Sequence, residues 1–407
     1  MGLVDWLQTS RKGISRRGFA AGALASTAAL AAITLTSCSE EEQKEEDSAP
    51  EVVTDASKII DALEEFESAD IGVSVANSWD IDLGTVLFHT GGTFAAALLA
   101  PESATHPNTL GVLSVSSGNL VTLLEDPTQG RGYSFYDLRC SEAVFAWIEI
   151  DYIKRSWVLL GQGFSSGELT GTPVVLDTGD SDWEPPRFTC SNQQVIWQKM
   201  PLATGSKRTE TSTCYVWSVG ASEGRAIWES RGRFATGPRV AAGLLTIVPR
   251  VRVDEGTYYG LSALDISGAT PKRVDQLVLP ASIRPFDAIY TGKQFIFSIE
   301  ASYDSGGSLG KMGTYIGREG GPYVYFGREP VAQACFNGAH VMIKTQAAHY
   351  ALDLDAQKLQ GLSSADRSLH MGDFPASEGE EALPLVFATI RNEKGIPSHV
   401  RVRQFAL

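Results

Sequence analysis

From about residue 70 to the end, apolar residues come in short runs of four to eight, separated by Gly, Pro, Asn, Asp and Ser. Runs of that length between turn formers predict β-strands. The runs also recur. "CSEAVFAWIE" (140–149), "CSNQQVIWQK" (190–199) and "CFNGAHVMIK" (335–344) share one frame, with Cys140 to Trp147, Cys190 to Trp197 and Cys335 to Met342 each seven positions apart. "YTGKQFIFSIE" (290–300) and "AAGLLTIVPR" (241–250) are looser copies. Each copy belongs to a unit of four apolar runs. The second unit reads "YSFYDLRC", "AVFAWIEI", "SWVLLGQG", "PVVLD". Four short antiparallel strands in each roughly 40–50 residues predict the blades of a β-propeller.

Innermost strands are expected to start near Val86, Phe135, Phe188, Pro238, Pro285, Ala332 and Met371, which makes seven units. Six is the alternative count if the first or last is degenerate. The last unit shows two clear outer strands, "LPLVFATI" (383–390) and "HVRVRQFA" (399–406), and "IGVSVAN" (71–77) can supply the strand it lacks. That closure joins the two ends of the body and removes a free sheet edge. The expected fold is therefore all-β: a propeller over 71–407, with seven four-stranded blades closed by an N-terminal strand. A pair of two-sheet sandwiches is the structural alternative. No unit carries the Gly-His…Trp-Asp pattern of WD40 repeats. In architecture alone the body resembles TolB-like and quinoprotein-like propellers.

Upstream the pattern changes. "SKIIDALEEFES" places Ile59, Ile60, Leu63 and Phe66 at helical spacing behind a capping Ser57, predicting a short amphipathic helix over 57–70. Residues 38–56 are acidic and polar, and read as a flexible, self-repelling linker. Charge sharpens this division. The first 39 residues carry +3 and residues 40–70 carry −11, leaving only −6 of the net −14 for the rest. The body is no polyanion, and no basic footprint for nucleic acid appears.

The start of the chain has a basic stretch, then uncharged, alanine-rich residues from Ala20 to Leu35. This run is shorter than the ~20 strongly apolar residues of a spanning helix. It fits a cleavable signal over 1–37, with a plain N-terminal anchor helix as the alternative. Ser15-Arg16-Arg17-Gly18-Phe19 resembles the twin-arginine export motif, with Arg16, Arg17 and Phe19 in place but Ala20 and Ala21 where Leu and Lys are usual. Leu35-Thr36-Ser37-Cys38 resembles a bacterial lipobox. The resemblance covers the first 38 residues. It implies lipidation of Cys38, attachment to the membrane through that lipid, and a body on the outer side of the cytoplasmic membrane.

The other cysteines are Cys140, Cys190, Cys214 and Cys335. Three occupy equivalent places in different blades, too far apart for the ~7 Å limit of a disulfide. Cys190 and Cys214 have a strand between them, about 10 Å at the usual strand spacing. Four buried thiols are expected, in agreement with export of an already folded body.

For chemistry, the long polar loops at 100–111, 177–187, 200–213, 301–311 and 363–380 fall on one propeller face. An arginine lies at or near the blade-to-blade crossing in most units: Arg131, Arg187, Arg233, Arg284, Arg328 and Arg367. Planar guanidiniums around a channel suit a carboxylate, a phosphate or an acidic sugar. The alternative is that they staple blades through Asp137, Asp182, Glu184, Asp287, Glu329 and Asp366. Asp180 and Asp182 offer hard oxygens for Ca²⁺, but the rest of a Ca²⁺ loop is missing and a solvated turn at a Trp183–Pro185 corner explains them as well. The six histidines are dispersed, and no metal, cofactor or nucleotide motif appears.

The sequence thus points to a lipid-anchored, extracytoplasmic, monomeric binding or assembly module. Its expected partners are an anionic small molecule, a glycan or an envelope protein. The contending reading is a glycan-active hydrolase or lyase with Asp, Glu and Arg at the channel mouth.

Overall fold

The computed structural model describes residues 47–101, 103, 106–204, 211–251, 256–363 and 373–407. The leader motif with Arg16, Arg17 and Phe19, the lipobox Cys38 and the crossing residue Arg367 lie outside these residues.

Asp47–Leu407 forms a ring of seven sheets, each with four antiparallel strands at its heart. The innermost strands are Val86–Phe88, Ser134–Cys140, Arg187–Ser191, Arg239–Ala241, Asp287–Tyr290, Cys335–Phe336 and Phe374–Pro375. They start within a few residues of the positions expected from the repeat. The strands number outward in sequence order, as in Arg187–Ser191, Gln194–Lys199, Ser212–Ser218 and Arg225–Ser230 of the third blade. In the seventh blade the outermost strand is instead Ser74–Ile81, paired antiparallel with Pro397–Ala406. The N-terminal closure is therefore present, shifted a few residues from 71–77.

Each joint between neighbouring blades holds its own buried apolar cluster, seven in all, including the joint between the seventh and first blades. Burial of β-branched and aromatic side chains on both faces of every blade explains the near-continuous apolar runs. Trp147 faces the first blade and Trp197 the second, both at under 3% exposure. The third copy of the Cys frame differs. Cys140 pairs with Phe145 and Cys190 with Val195, whereas Cys335 pairs with Met342 across a longer turn. Cys335 and Met342 consequently face the following blade, since a small change of register turns side chains to the other face. All four cysteines are buried and free, as expected, and burial pushes the Cys140 thiol up to about 12.

The segment before Ser74 departs from the expected helix over 57–70. Residues 47–68 instead run along the outer edges of the ring. Ser48 N–H donates to Gln276 and Glu51 N–H to the Val278 carbonyl (2.8 Å), both on the outer strand of the fourth blade. Val53 is buried in the joint of blades four and five, so part of the expected 38–56 linker packs on the body. Ile59–Asp61 adds a parallel strand to the edge of the fifth blade and Glu67–Ser68 one to the edge of the sixth. Between them is a single helical turn, Ala62–Glu65, capped by Asp61 on the Leu63 N–H (2.9 Å). Ile59, Ile60 and Phe66 do face apolar clusters, but the unpaired edge strands of the fifth and sixth blades win the backbone of their flanking residues.

Candidate functional site: arginines around the propeller axis

The seventh blade's first strand continues into residues 376–381, which cross the axis. Glu378 N–H donates to the His89 carbonyl of the first blade and Glu381 N–H to the Phe336 carbonyl of the sixth, both at 2.8 Å. Ala242 N–H of the fourth blade donates to Glu380 Oε2 at 2.5 Å. Gly379 adopts φ +84°, and a Cβ there would stand 2.8 Å from the Val240 carbonyl, so only glycine lets the segment pass.

Glu378 is the centre of a buried charge network. Its Oε1 lies 2.9 Å from Arg139 Nη2 on the second blade, and its Oε2 lies 3.3 Å from Arg239 Nη1 on the fourth. Arg139 also contacts Asp137 Oδ1 (2.5 Å), and Arg239 Nε lies 3.4 Å from Asp287 Oδ1. Phe88 stacks on the Arg139 guanidinium at 4.3 Å. Burial alone would push Glu378 up, but the two guanidiniums outweigh it and hold its carboxyl below the usual range. Asp287 goes the other way: burial raises it against the pull of Arg239. This tier pairs its charges largely within itself, although Arg239 Nε has no hydrogen-bond partner among the described residues.

A second tier lies toward the crossing end, where one blade passes into the next. Arg187 opens the inner strand of the third blade, and Arg233 and Arg284 lie in the two crossings that follow. Burial pushes the Arg187 guanidinium down; Glu184 opposes this, while Arg284, Arg233 and Arg239 add to it. Three further cations therefore lie within electrostatic reach of Arg187. Their partners are unequal. Arg233 contacts Glu184 and the Pro201 carbonyl. Arg187 donates from Nη1 to the Ala235 carbonyl at 2.8 Å. Arg284 is exposed and has no side-chain partner among the described residues. Among the described residues, Glu184 is the carboxylate that acts on Arg187, against three arginines.

Of the six crossing arginines, the structure brings together Arg187, Arg233 and Arg284. Arg131 and Arg328 are exposed, and neither is among the groups that act on Arg187. The stapling alternative describes Arg233 with Glu184, whereas Asp137 and Asp287 pair with Arg139 and Arg239 instead of crossing arginines. Arg139 and Arg239 lie inside inner strands and Glu378 in the segment after one, away from the crossings to which the sequence pattern points. The available signal was a charged residue inside an innermost strand. Asp180 Oδ1 accepts the Asp182 N–H (2.9 Å) in a tight turn, and no metal-ligating trio exists among the described residues. The corner beside it is packed, with Trp183 carrying the Trp157 indole N–H on its carbonyl (3.1 Å) and Lys199 5.2 Å from its ring.

No family model matches this chain, and no curated protein matches it either. Solved structures do. A prolyl endopeptidase structure aligns with TM-score 0.50 at 11% identity over 76% of this chain and 46% of its own. The acylaminoacyl peptidase of Pyrococcus horikoshii gives 0.49 at 10%, over 78% and 51%. TolB from Acinetobacter baumannii gives 0.40 at 13%, over 67% and 64%. The chain spans about half the length of the two peptidases. At these identities the first likeness shows the fold alone, and it agrees with the β-propeller built above.

Proposed function

We propose that this protein is a lipid-anchored, extracytoplasmic propeller that binds a small anionic ligand at the crossing end of its channel. The observation that carries the reading is the convergence of Arg187, Arg233 and Arg284 with Glu184 as the close carboxylate. An anion bearing carboxylate or phosphate oxygens supplies the acceptors that this tier lacks, in the planar geometry guanidinium favours. A protein partner is the weaker reading. Large apolar side chains exposed among the described residues come singly along the chain, apart from Tyr152–Ile153, which is small for a docking patch.

The experiment is a thermal-shift series with citrate, galacturonate, phosphate and a neutral sugar as probes. Stabilisation by one or more anions, lost in Arg187→Glu and Arg284→Glu, supports the reading. A flat response to every anion refutes it. Turnover of a bound uronate would replace the binding reading with the hydrolase or lyase alternative. The anchor is tested separately: mass spectrometry of the membrane fraction should find diacylglycerol on Cys38, and Arg16→Lys/Arg17→Lys should block export.

A further inference from the structure

The joint between the sixth and seventh blades is apolar along most of its depth but changes character at its crossing end. Lys344 and His349 sit directly opposite each other on the adjacent strands His340–Lys344 and Ala348–Asp353. Cross-strand partners point to one face. That face is the one that carries Met342 and Ala351 into the joint with the seventh blade. From the other side come Asp373, which precedes the seventh blade's inner strand, and Arg403 on Pro397–Ala406. Lys344 is 1% exposed, and His349 and Asp373 are fully buried.

The internal pairing of this group is incomplete. Arg403 contacts Asp373, donates from Nη1 to the Ser363 carbonyl (3.1 Å) and lies over the Phe405 ring at 5.1 Å. His349 Nε2 stands 3.8 Å from Asp373 Oδ2, beyond a hydrogen bond. Among the described residues, Lys344 Nζ, both ring nitrogens of His349 and Arg403 Nε have no hydrogen-bond partner. A buried polar atom without a partner costs about 1–3 kcal/mol, and folded proteins rarely leave one. Here four such nitrogens lie together, one of them the Lys344 ammonium and one on the Arg403 guanidinium, and among the described residues these two cations face one carboxylate, Asp373.

We propose that this nest is a binding site for a small monovalent anion of halide size, held between Lys344 Nζ and the His349 ring. Water alone would satisfy the hydrogen bonds and leave the excess positive charge buried. A monoanion answers both. Without one, burial pushes Lys344 below its ordinary value, with Arg403 adding to the effect and Asp373 opposing it. The bound anion restores the charged ammonium, and it ties the closing blade to its neighbour at a point where the apolar cluster gives out. The site is distinct from the Arg187 tier and does not depend on it.

Bromide is the probe, because it scatters anomalously. Diffraction from crystals of the full chain grown in sodium bromide should show an anomalous peak within about 3.5 Å of Lys344 Nζ. In solution, replacing sodium gluconate by sodium bromide at constant ionic strength should raise Tm by about 2–4 °C and saturate. The rise should persist in Arg284→Ala and vanish in Lys344→Met. Anomalous peaks confined to the surface, with only water at the nest, overturn the proposal. So does a bromide response that Lys344→Met leaves intact. If Lys344→Met fails to fold, the crystallographic measurement on the unaltered chain decides alone.

Discussion

Glu378 and Arg139 lie 239 positions apart in the chain and meet near the propeller axis, Oε1 to Nη2 at 2.9 Å. The same carboxylate reaches Arg239, so one side chain from the seventh blade's inner segment joins the second and fourth blades across the channel. Neighbour-to-neighbour packing holds a ring together around its circumference. This contact holds it across the diameter.

Removing that carboxylate leaves two guanidiniums buried beside fewer charges. Glu378→Ala is expected to lower global stability by about 3–5 kcal/mol, the usual cost of breaking a buried pair from one side. Glu378→Gln, which keeps the shape, should fall between wild type and the alanine variant. Denaturant midpoints measure both, and a change below about 1 kcal/mol for alanine would rule out a structural role for the pair.

The pair also sets a pH dependence. Because Arg139 and Arg239 hold Glu378 below its ordinary ~4.3, the unfolded chain takes up this proton before the folded one as pH falls. Its stabilisation is complete above ~4.3 and is lost as pH drops through the lower folded value. Asp287 acts in the opposite sense, since burial raises its folded value and protonation relieves that cost. Urea midpoints between about pH 6 and 3 should therefore fall more steeply for wild type than for Glu378→Gln. Parallel profiles would exclude Glu378 as a source of the acid sensitivity.

The crossing arginines should separate by role. Arg233, paired with Glu184, is expected to cost about 1–2 kcal/mol when changed to alanine. Arg284, exposed and without a side-chain partner among the described residues, should leave Tm unchanged when truncated but lose the anion-dependent shift. Fluorimetry with and without anion reads both at once. Loss of Tm in Arg284→Ala would place it in the structure rather than the site.

The four body cysteines should resist alkylation. Cys140, Cys190, Cys214 and Cys335 are buried, and burial raises each thiol. Reactivity requires exposed thiolate. Peptide mapping after native treatment with iodoacetamide should find all four unmodified, and after denaturation without reductant all four modified. Peptides linked by disulfide would contradict the free thiols.

The blade starts and the closing strand were legible because propeller strands are buried on both faces and bounded by turns, so short runs stand out. The span 57–70 departs from the helix its spacing predicts for a related reason. Ile59, Ile60, Leu63 and Phe66 satisfy helical spacing, yet a few apolar residues that cover blade edges leave the same signature. What decides between them is an unpaired strand elsewhere in the chain, on Tyr323–Phe326 and Lys358–Ser363. The site was half visible. Arg187, Arg233 and Arg284 follow from their places at crossings, but their convergence depends on ring geometry. Glu378 looked like part of a polar surface loop, because nothing local marks a segment that crosses an axis.

The pairing of Ser74–Ile81 with Pro397–Ala406 has a consequence for the order of events during synthesis. Ser74 lies opposite Ala406, so an early strand of the body waits for one of the last. Residues 51–68 wait as well, for edges on the fourth, fifth and sixth blades. Contacts of such long sequence separation form slowly, and the chain must carry an unsatisfied strand until they do. Completion of the ring is thereby a signal that translation of the body is finished. The ring closes only once Pro397–Ala406 is available to pair with Ser74–Ile81.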